Sequence, residues 1–166
     1  MGNSQSPFKA IRVVPTLSTD AYADGDVFFN PTEIPGAVRG SCGCALLHAI
    51  TIVNEDQVEH DHDLIFMRIA NSLGTINDVV SWSDATIKAS QLTGMVKIDA
   101  SLVSTNLVAN TVITLGMGIG LTHPTLPQMI QSDADSTSVY VAAVSRGGTP
   151  TCAADDYEYI FHIQQY

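Results

Sequence analysis

The sequence carries little charge, and most of that charge is negative. Only 14% of its 166 residues are charged, and 17 acidic residues outnumber 7 basic ones, giving a net charge of −10. An acidic chain gains nothing from the counterion release that drives nucleic-acid binding, and anionic lipid does not attract it. We therefore expect neither nucleic acid nor membrane as a partner, whereas a basic patch on another protein would fit.

Long apolar runs and recognisable targeting segments are also missing. No run approaches the roughly 20 apolar residues that span a bilayer, and Met1–Ser6 has no basic region followed by an apolar stretch, so no secretory signal is predicted. Cys42, Cys44 and Cys152 leave one cysteine over if any two pair, and Cys-Gly-Cys is too tight for a zinc knuckle. Reduced thiols in a protein made in a cytosol are expected.

Short strand patterns bounded by turn residues are what the sequence does contain. The clearest are Phe8–Leu17, Cys44–Asn54, Leu64–Ile69, Leu92–Ala100, Asn110–Gly116, Ser138–Ser145 and Tyr157–Ile163. Roughly eight or nine strands without a βαβ rhythm predict an all-β chain, folded as an antiparallel β-sandwich or jelly roll.

Two of these strands are regular enough to assign faces. Cys44–Asn54 is predicted to place on one face Leu46, His48, Ile50 and Ile52. Tyr157–Ile163 is predicted to turn into the core Tyr157, Tyr159, Phe161 and Ile163. Both assignments follow from the two-residue period of a β-strand.

At most one short helix is predicted, over Ser83–Gln91 with Asp84 as its cap. Asn30–Gly36, which holds two prolines, is predicted to be a loop. No linker divides the chain, so we expect an N-terminal arm and first strand in residues 1–18 and a single β-sandwich domain in residues 19–166.

Glu55–Asp63 is the segment richest in metal-ligand types, with two imidazoles and five carboxylates. These ligand types suit zinc, nickel or calcium, and in an extended loop His60 and His62 would point the same way. The segment lacks the spacing of a calcium loop, and no distant ligand is identifiable. A solvated acidic loop without metal or cofactor is the expectation, and a metal-dependent enzyme is the alternative.

Other patterns that carry catalysis elsewhere are incomplete in this sequence. Cys44 and His48 on one strand would lie about 14 Å apart, too far for direct proton transfer. Gly116–Gly120 is followed by prolines that cannot open the helix of a phosphate-binding loop. No catalytic residue is assigned, and the chain is not expected to be an enzyme. Trp82 is expected in the core, with a sugar or partner contact as the alternative.

The sequence resembles a group of small virion proteins from tailed bacteriophages across about residues 8 to 164. The resemblance lies in several short segments and in their order along the chain. They are Asp26–Val38, Leu73–Thr75, Ser81–Asp84, Ser138–Val144, Gly148–Thr151 and Ala153–Asp156. The resemblance implies capsid decoration, or cementing, on the outside of the head, with no defined active residues to carry over. The Cys42/Cys44 pair and the His60/His62 loop depart from the group.

The implied partners are the major capsid protein and further copies of the chain, as a dimer or trimer. The implied location is the capsid surface of a virion made in the bacterial cytoplasm. Met1–Ser18 is the segment expected to reach a neighbour or the shell. A tail or adaptor protein, or a receptor- or carbohydrate-binding module of the virion, is the alternative.

Overall fold

The computed structural model describes residues 7–56, 60–107, 110–116 and 126–166. The described elements are, in chain order, β1 (Phe8–Val13), β2 (Val27–Ile34), β3 (Cys44–Asn54), β4 (Asp61–Met67), α1 (Asp84–Ser90), β5 (Leu92–Ile98), α2 (Ala100–Val103), β6 (Ser104–Leu107), β7 (Asn110–Leu115), β8 (Gln128–Gln131), β9 (Val139–Arg146) and β10 (Tyr157–Gln165). All pairings between these strands are antiparallel.

The strands form two sheets. The six-stranded sheet has the order β1-β10-β3-β7-β6, and β8 pairs with the first half of β3; the four-stranded sheet has the order β2-β9-β4-β5. Rings from the two sheets meet between them, in the pairs Phe28–Tyr157 (5.2 Å between centroids), Phe29–Tyr159 (5.4 Å) and Phe66–Phe161 (5.8 Å). The predicted antiparallel β-sandwich is thereby confirmed.

β10 contributes a regular row of buried side chains to the core. Its odd-numbered residues from Tyr157 to Gln165 are buried, and its even-numbered residues are half-buried. The predicted face of Tyr157–Ile163 is therefore confirmed. Fully burying one large apolar side chain contributes about 1.5–3 kcal/mol, so this strand is a major source of stability.

β3 has the predicted bounds, but its predicted faces are wrong in its first half. The pairing with β10 skips His48, which is the extra residue of a β-bulge. On the N-terminal side of the bulge the alternation is inverted, so Leu47 is buried with Ile50 and Ile52, while Leu46 and His48 are half-exposed. One inserted residue moves all preceding side chains to the opposite face.

Asn30–Ile34 is strand, so the predicted loop is wrong over that part. The register of β2 against β9 shifts between Phe29 and Thr32, which places Pro31 in an irregular part of an edge strand. A proline is tolerated there because its missing N–H breaks no regular ladder bond.

The predicted helix is present as α1, but its cap is Ser83 rather than Asp84. The Ser83 side chain accepts a hydrogen bond from the Thr86 N–H, and Gln91, in the left-handed region, ends the helix. The four-residue helix α2 and the short strands β6 and β8 were not predicted. None of the helices in the described ranges is long and apolar enough to cross a membrane.

Residues 71–82, here called the covering segment, lie over the outer face of the four-stranded sheet. They contribute Leu73, Ile76, Val80 and Trp82 to a second apolar cluster that also contains Val27, Ile65, Met67, Ala142, Val144 and Tyr140. The Asn30 side chain fastens this segment: it donates to the Gly74 carbonyl (2.8 Å) and accepts from the Leu73 N–H (2.9 Å) and the Ser72 hydroxyl (3.0 Å). The central strands β4 and β9 are consequently buried almost throughout.

Candidate functional site

His60 and His62 are buried inside the sandwich, so the predicted solvated loop is wrong for both. The two rings stack with centroids 5.6 Å apart, and so point the same way as predicted. Phe28 contacts both rings, at 4.7 Å and 5.2 Å. Glu55 and Asp56 are exposed as expected, and residues 57–59 lie outside the described ranges.

The hydrogen bonds of His62 fix its tautomer. Its Nδ1 lies 2.9 Å from the His60 carbonyl oxygen, which only accepts, so Nδ1 carries the proton. Its Nε2 therefore accepts from the Tyr159 hydroxyl, 2.9 Å away. A second proton on His62 would have to displace the Tyr159 donor.

Burial keeps both imidazoles neutral. It lowers the pKa of His60 to about 4 and that of His62 to about 3, with His60 adding to the effect on His62. Burial also raises the pKa of Tyr159 well above its ordinary value. These groups form a neutral part of the core, in which the side chains of His62 and Tyr159 are hydrogen-bonded to each other.

This arrangement does not assemble a metal site. Both ring nitrogens of His62 are engaged, and His60 Nε2 is buried without a hydrogen-bond partner. The Asp63 carboxylate accepts from Arg146 Nε at 2.7 Å. Across the described ranges, no three His, Cys, Asp or Glu side chains converge as ligands. The ligand types that stand together in the sequence are thus separated by the alternation of β4.

A cleft of about 420 Å³, with a cation and a carboxylate among its walls, opens beside the buried His60. Its walls are His60, Asp61, Ser101, Arg146 and residues 147–150. Asp61 accepts from the Ala100 N–H at 2.8 Å, and Arg146 holds Asp63. The walls thus combine a cation, a carboxylate and a glycine backbone, although the cation and the carboxylate already have partners within the chain.

The three thiols do not form a nucleophilic pair with a base. Cys42 is exposed, Cys44 is half-buried and Cys152 is buried, and all three are free. Burial, with two nearby aspartates, raises the pKa of Cys152 to about 12. His48 Nε2 lies 2.8 Å from Gln164 Oε1, so this imidazole is engaged on the sheet.

Two candidates from the sequence remain, the Gly116–Gly120 stretch and Trp82. Gly116 follows β7, and the rest of the Gly116–Gly120 stretch lies outside the described ranges. Trp82 is half-buried against the second apolar cluster, and its Nε1–H donates to the Ser72 carbonyl at 2.7 Å. Its indole therefore holds the covering segment in place rather than presenting a free ring to a sugar.

Sequence reasoning missed a further candidate surface, the outer face of the six-stranded sheet, here called the open face. Its side chains are Phe8, Ala10 and Arg12 from β1, Glu158, Ile160, His162 and Gln164 from β10, Leu46, His48, Ala49, Thr51 and Val53 from β3, Val112 and Thr114 from β7, and Met129 from β8. Every one of them is exposed or half-exposed. The even-numbered residues of β10 were the available signal, because most of them are uncharged.

The open face carries almost no net charge. Arg12 and Glu158, its two charged residues, form an ion pair with each other. His48 contacts Gln164, and His162 Nε2 lies 3.2 Å from the Thr51 hydroxyl. This neutrality contrasts with the net charge of −10 of the whole chain.

Residues 8–18 are built into the sandwich rather than projecting from it. Phe8–Val13 forms the edge strand β1, and Val13 and Leu17 belong to the main core cluster. The Leu17 N–H donates to the Ala154 carbonyl at 3.1 Å. Only residues 1–6 of the expected arm lie outside the described ranges.

Comparison with known proteins adds little. No protein-family model and no curated protein matches this sequence. Among solved structures, the chain is similar to one from desmodium yellow mottle tymovirus, with 12% sequence identity and a TM-score of 0.29 over 98% of this chain and 82% of that chain. A likeness this low carries no argument about function, which must come from the chain itself.

Proposed function

We propose that this chain is a structural virion protein that binds the outer surface of a tailed-phage capsid and cements contacts between capsomers. Its partners are the major capsid protein and further copies of itself. It acts without catalysis and without binding nucleic acid or membrane. Its place is the capsid surface of a virion assembled in the bacterial cytoplasm.

The open face is the observation that carries this proposal. The centres of protein interfaces are depleted of charged residues, and a neutral sheet face on a chain of net charge −10 has that character. A rigid sandwich with one such face suits a protein that acts by adhesion. The resemblance to small tailed-phage virion proteins supports the choice of the capsid as its location.

The edge strand β1 supports attachment by a second route. An edge strand has backbone N–H and C=O groups on its outer side that a strand of a neighbouring protein can pair with. Lys9 and Arg12 on this strand discourage unspecific pairing. Strand addition therefore gives a selective contact to a capsomer.

Co-sedimentation with phage heads that lack this protein tests the proposal. We expect saturable binding at a fixed ratio to the shell protein, and a higher temperature of head disruption. A chain without residues 1–6 tests the arm, because β1 and the core residues Val13 and Leu17 remain. Weaker attachment of this variant supports the arm, and unchanged attachment removes it from the proposal.

Failure to bind heads would favour the alternative, a tail, adaptor or receptor-binding module of the virion. The cleft of about 420 Å³ beside His60 is the observation that favours it. A glycan or other small polar ligand that binds wild type but not Arg146→Gln would support the alternative. Trp82→Phe is the matched control, since the Trp82 indole N–H is already bonded to Ser72.

A further inference from the structure

Two apolar side chains protrude from the open face on either side of its centre. Phe8 is 59% exposed and Met129 is 62% exposed. They end a row of directly paired residues, Phe8–Gln164–Leu46–Met129, that crosses β1, β10, β3 and β8. At about 4.8 Å per strand, the two ends of the row are about 14 Å apart.

A shallow apolar cleft of about 250 Å³ lies at the Phe8 end of this row. Phe8, Lys9, Ala10, His48, His162 and Ile163 line it. The β-bulge creates the cleft by turning His48 outward, and the His48 ring lies 6.0 Å from the Phe8 ring. An unbranched thioether side chain fills such irregular apolar gaps well.

We propose that a second copy of this chain occupies the open face in a twofold dimer, with Met129 of each copy in the cleft beside Phe8 of the other. A twofold axis between the two faces, parallel to the strands and midway between β10 and β3, exchanges the two ends of the row. Each Met129 is thereby placed over the partner's cleft, as the self-complementarity of a twofold interface requires. The inference rests on the self-association in the proposed function and assigns the open face to it, which leaves attachment to the capsid to the edge strand β1.

Charge favours a second copy at this place on the surface. Two copies of net charge −10 repel each other over most approaches. On the open face the Arg12–Glu158 ion pair cancels, and His48 and His162 are hydrogen-bonded to the neutral side chains of Gln164 and Thr51. The open face itself therefore adds no like-charge repulsion when two copies meet there.

Sedimentation equilibrium of the purified full chain, without phage heads, tests the dimer. Wild type is expected at twice its mass of 17.7 kDa. Met129→Lys should weaken association at least about tenfold, as loss of an interface anchor does. Val79→Lys is the matched control, because Val79 is 71% exposed on the covering segment and should leave the dimer intact. Circular dichroism and the thermal midpoint of each variant establish that it is folded.

A charge swap tests the symmetry itself. Phe8→Glu alone should also weaken the dimer, whereas the F8E/M129K double variant should associate more tightly than either single variant, because the twofold axis brings each new lysine to a new glutamate. Failure of the double variant to recover overturns the proposed axis.

Other outcomes of the sedimentation experiment also overturn the inference. They are a monomeric wild type at about 100 µM, a trimer, a Met129→Lys variant that dimerises like wild type, and a Val79→Lys variant that dissociates like Met129→Lys. A dimer that fails to bind heads supports the inference and refutes the capsid role. A monomer that binds heads refutes the inference and supports the capsid role.

Discussion

The two sheets of this sandwich both present apolar side chains outward, but within the described ranges the chain covers only one of them. Over the four-stranded sheet, Leu73 is fully buried against Ile65 and Met67. Over the six-stranded sheet, Leu46 and Ile160 remain half-exposed, and Met129 is exposed. The covered face is thus part of the folding unit, whereas the open face is available to a partner.

The difference between the two faces shows which hydrogen bonds an irregular segment needs in order to cover a sheet. The covering segment has little regular structure, so its backbone groups need individual partners. Several come from the sheet edge: the Val27 N–H donates to the Asp78 carbonyl and the Asn77 N–H to the Val27 carbonyl, both at 2.9 Å. Asn30 supplies three more bonds. For the open face, a partner would have to supply the cover.

Lowering the pH should cause the largest loss of folding stability. The loss should arise in the four-stranded sheet, which is covered on both faces. The buried His60 and His62 have pKa values of about 4 and about 3 when folded, against about 6.5 when unfolded. Between these values the unfolded chain binds more protons, so stability is complete above about pH 6.5 and falls as the pH falls. At about 1.4 kcal/mol per pH unit for each histidine, the loss between pH 7 and pH 5 is about 4 kcal/mol. Urea unfolding across this pH range measures it.

Two variants test, in the same urea experiment, whether the histidines cause the pH dependence of stability. His60→Phe should roughly halve the pH slope and still fold, because Nε2 of His60 has no hydrogen-bond partner and its ring packs on Phe28. Tyr159→Phe loses the bond to His62 Nε2 but keeps both imidazoles, so it should keep the slope. An unaltered slope in His60→Phe would refute this origin of the acid sensitivity.

Removing one leucine from each outer face should give the next largest contrast. Leu73→Ala leaves a cavity under the covering segment and should lower the free energy of unfolding by about 3 kcal/mol. Leu46→Ala, on the open face of the isolated chain, should cost about 1 kcal/mol because Leu46 is only half-buried. Urea unfolding under conditions that keep the chain monomeric measures both. Equal losses would contradict the distinction between the two faces.

Regular alternation made much of this fold predictable. The period of β10 correctly gave its buried aromatic face, and β3 was correctly bounded. The bulge at His48 could not be predicted, because the residues on both sides of it are apolar and either register is plausible. Pro31 suggested a loop because a proline in a bulge is not distinguishable by sequence from a proline that ends a strand.

The candidate site was less predictable than the fold. Acidic neighbours made His60 and His62 look solvated, but β4 starts at Asp61, and Phe28 and Tyr159 from two other strands enclose them. The cover over the four-stranded sheet has no periodicity to detect. The open face combines residues from five strands, so pairing had to be known before it could be recognised.

The hydrogen bonds of Asn30 to the covering segment should have an effect of intermediate size. Asn30→Ala removes three bonds to residues 72–74 and should cost about 2 kcal/mol, since the backbone groups left behind are partly buried. Gln164→Ala on the open face removes the bond to His48, and water can replace it, so about 0.5 kcal/mol is expected. Thermal unfolding of both variants distinguishes them, and a larger loss for Gln164→Ala would contradict the comparison.

The smallest contrast is between the two ion pairs, one on each outer face. Arg146 Nε lies 2.7 Å from Asp63 Oδ2, and the Asp63 side chain is almost fully buried while that of Arg146 is 43% exposed. The Arg12–Glu158 pair on the open face is more exposed to solvent at both side chains. Double-mutant cycles should give a coupling of about 1 kcal/mol for the first pair and about 0.3 kcal/mol for the second, because solvent screens exposed charges. Added salt should abolish the second coupling and reduce the first only in part. Two couplings of equal size and equal salt dependence would show that the burial of Asp63 does not strengthen its ion pair with Arg146.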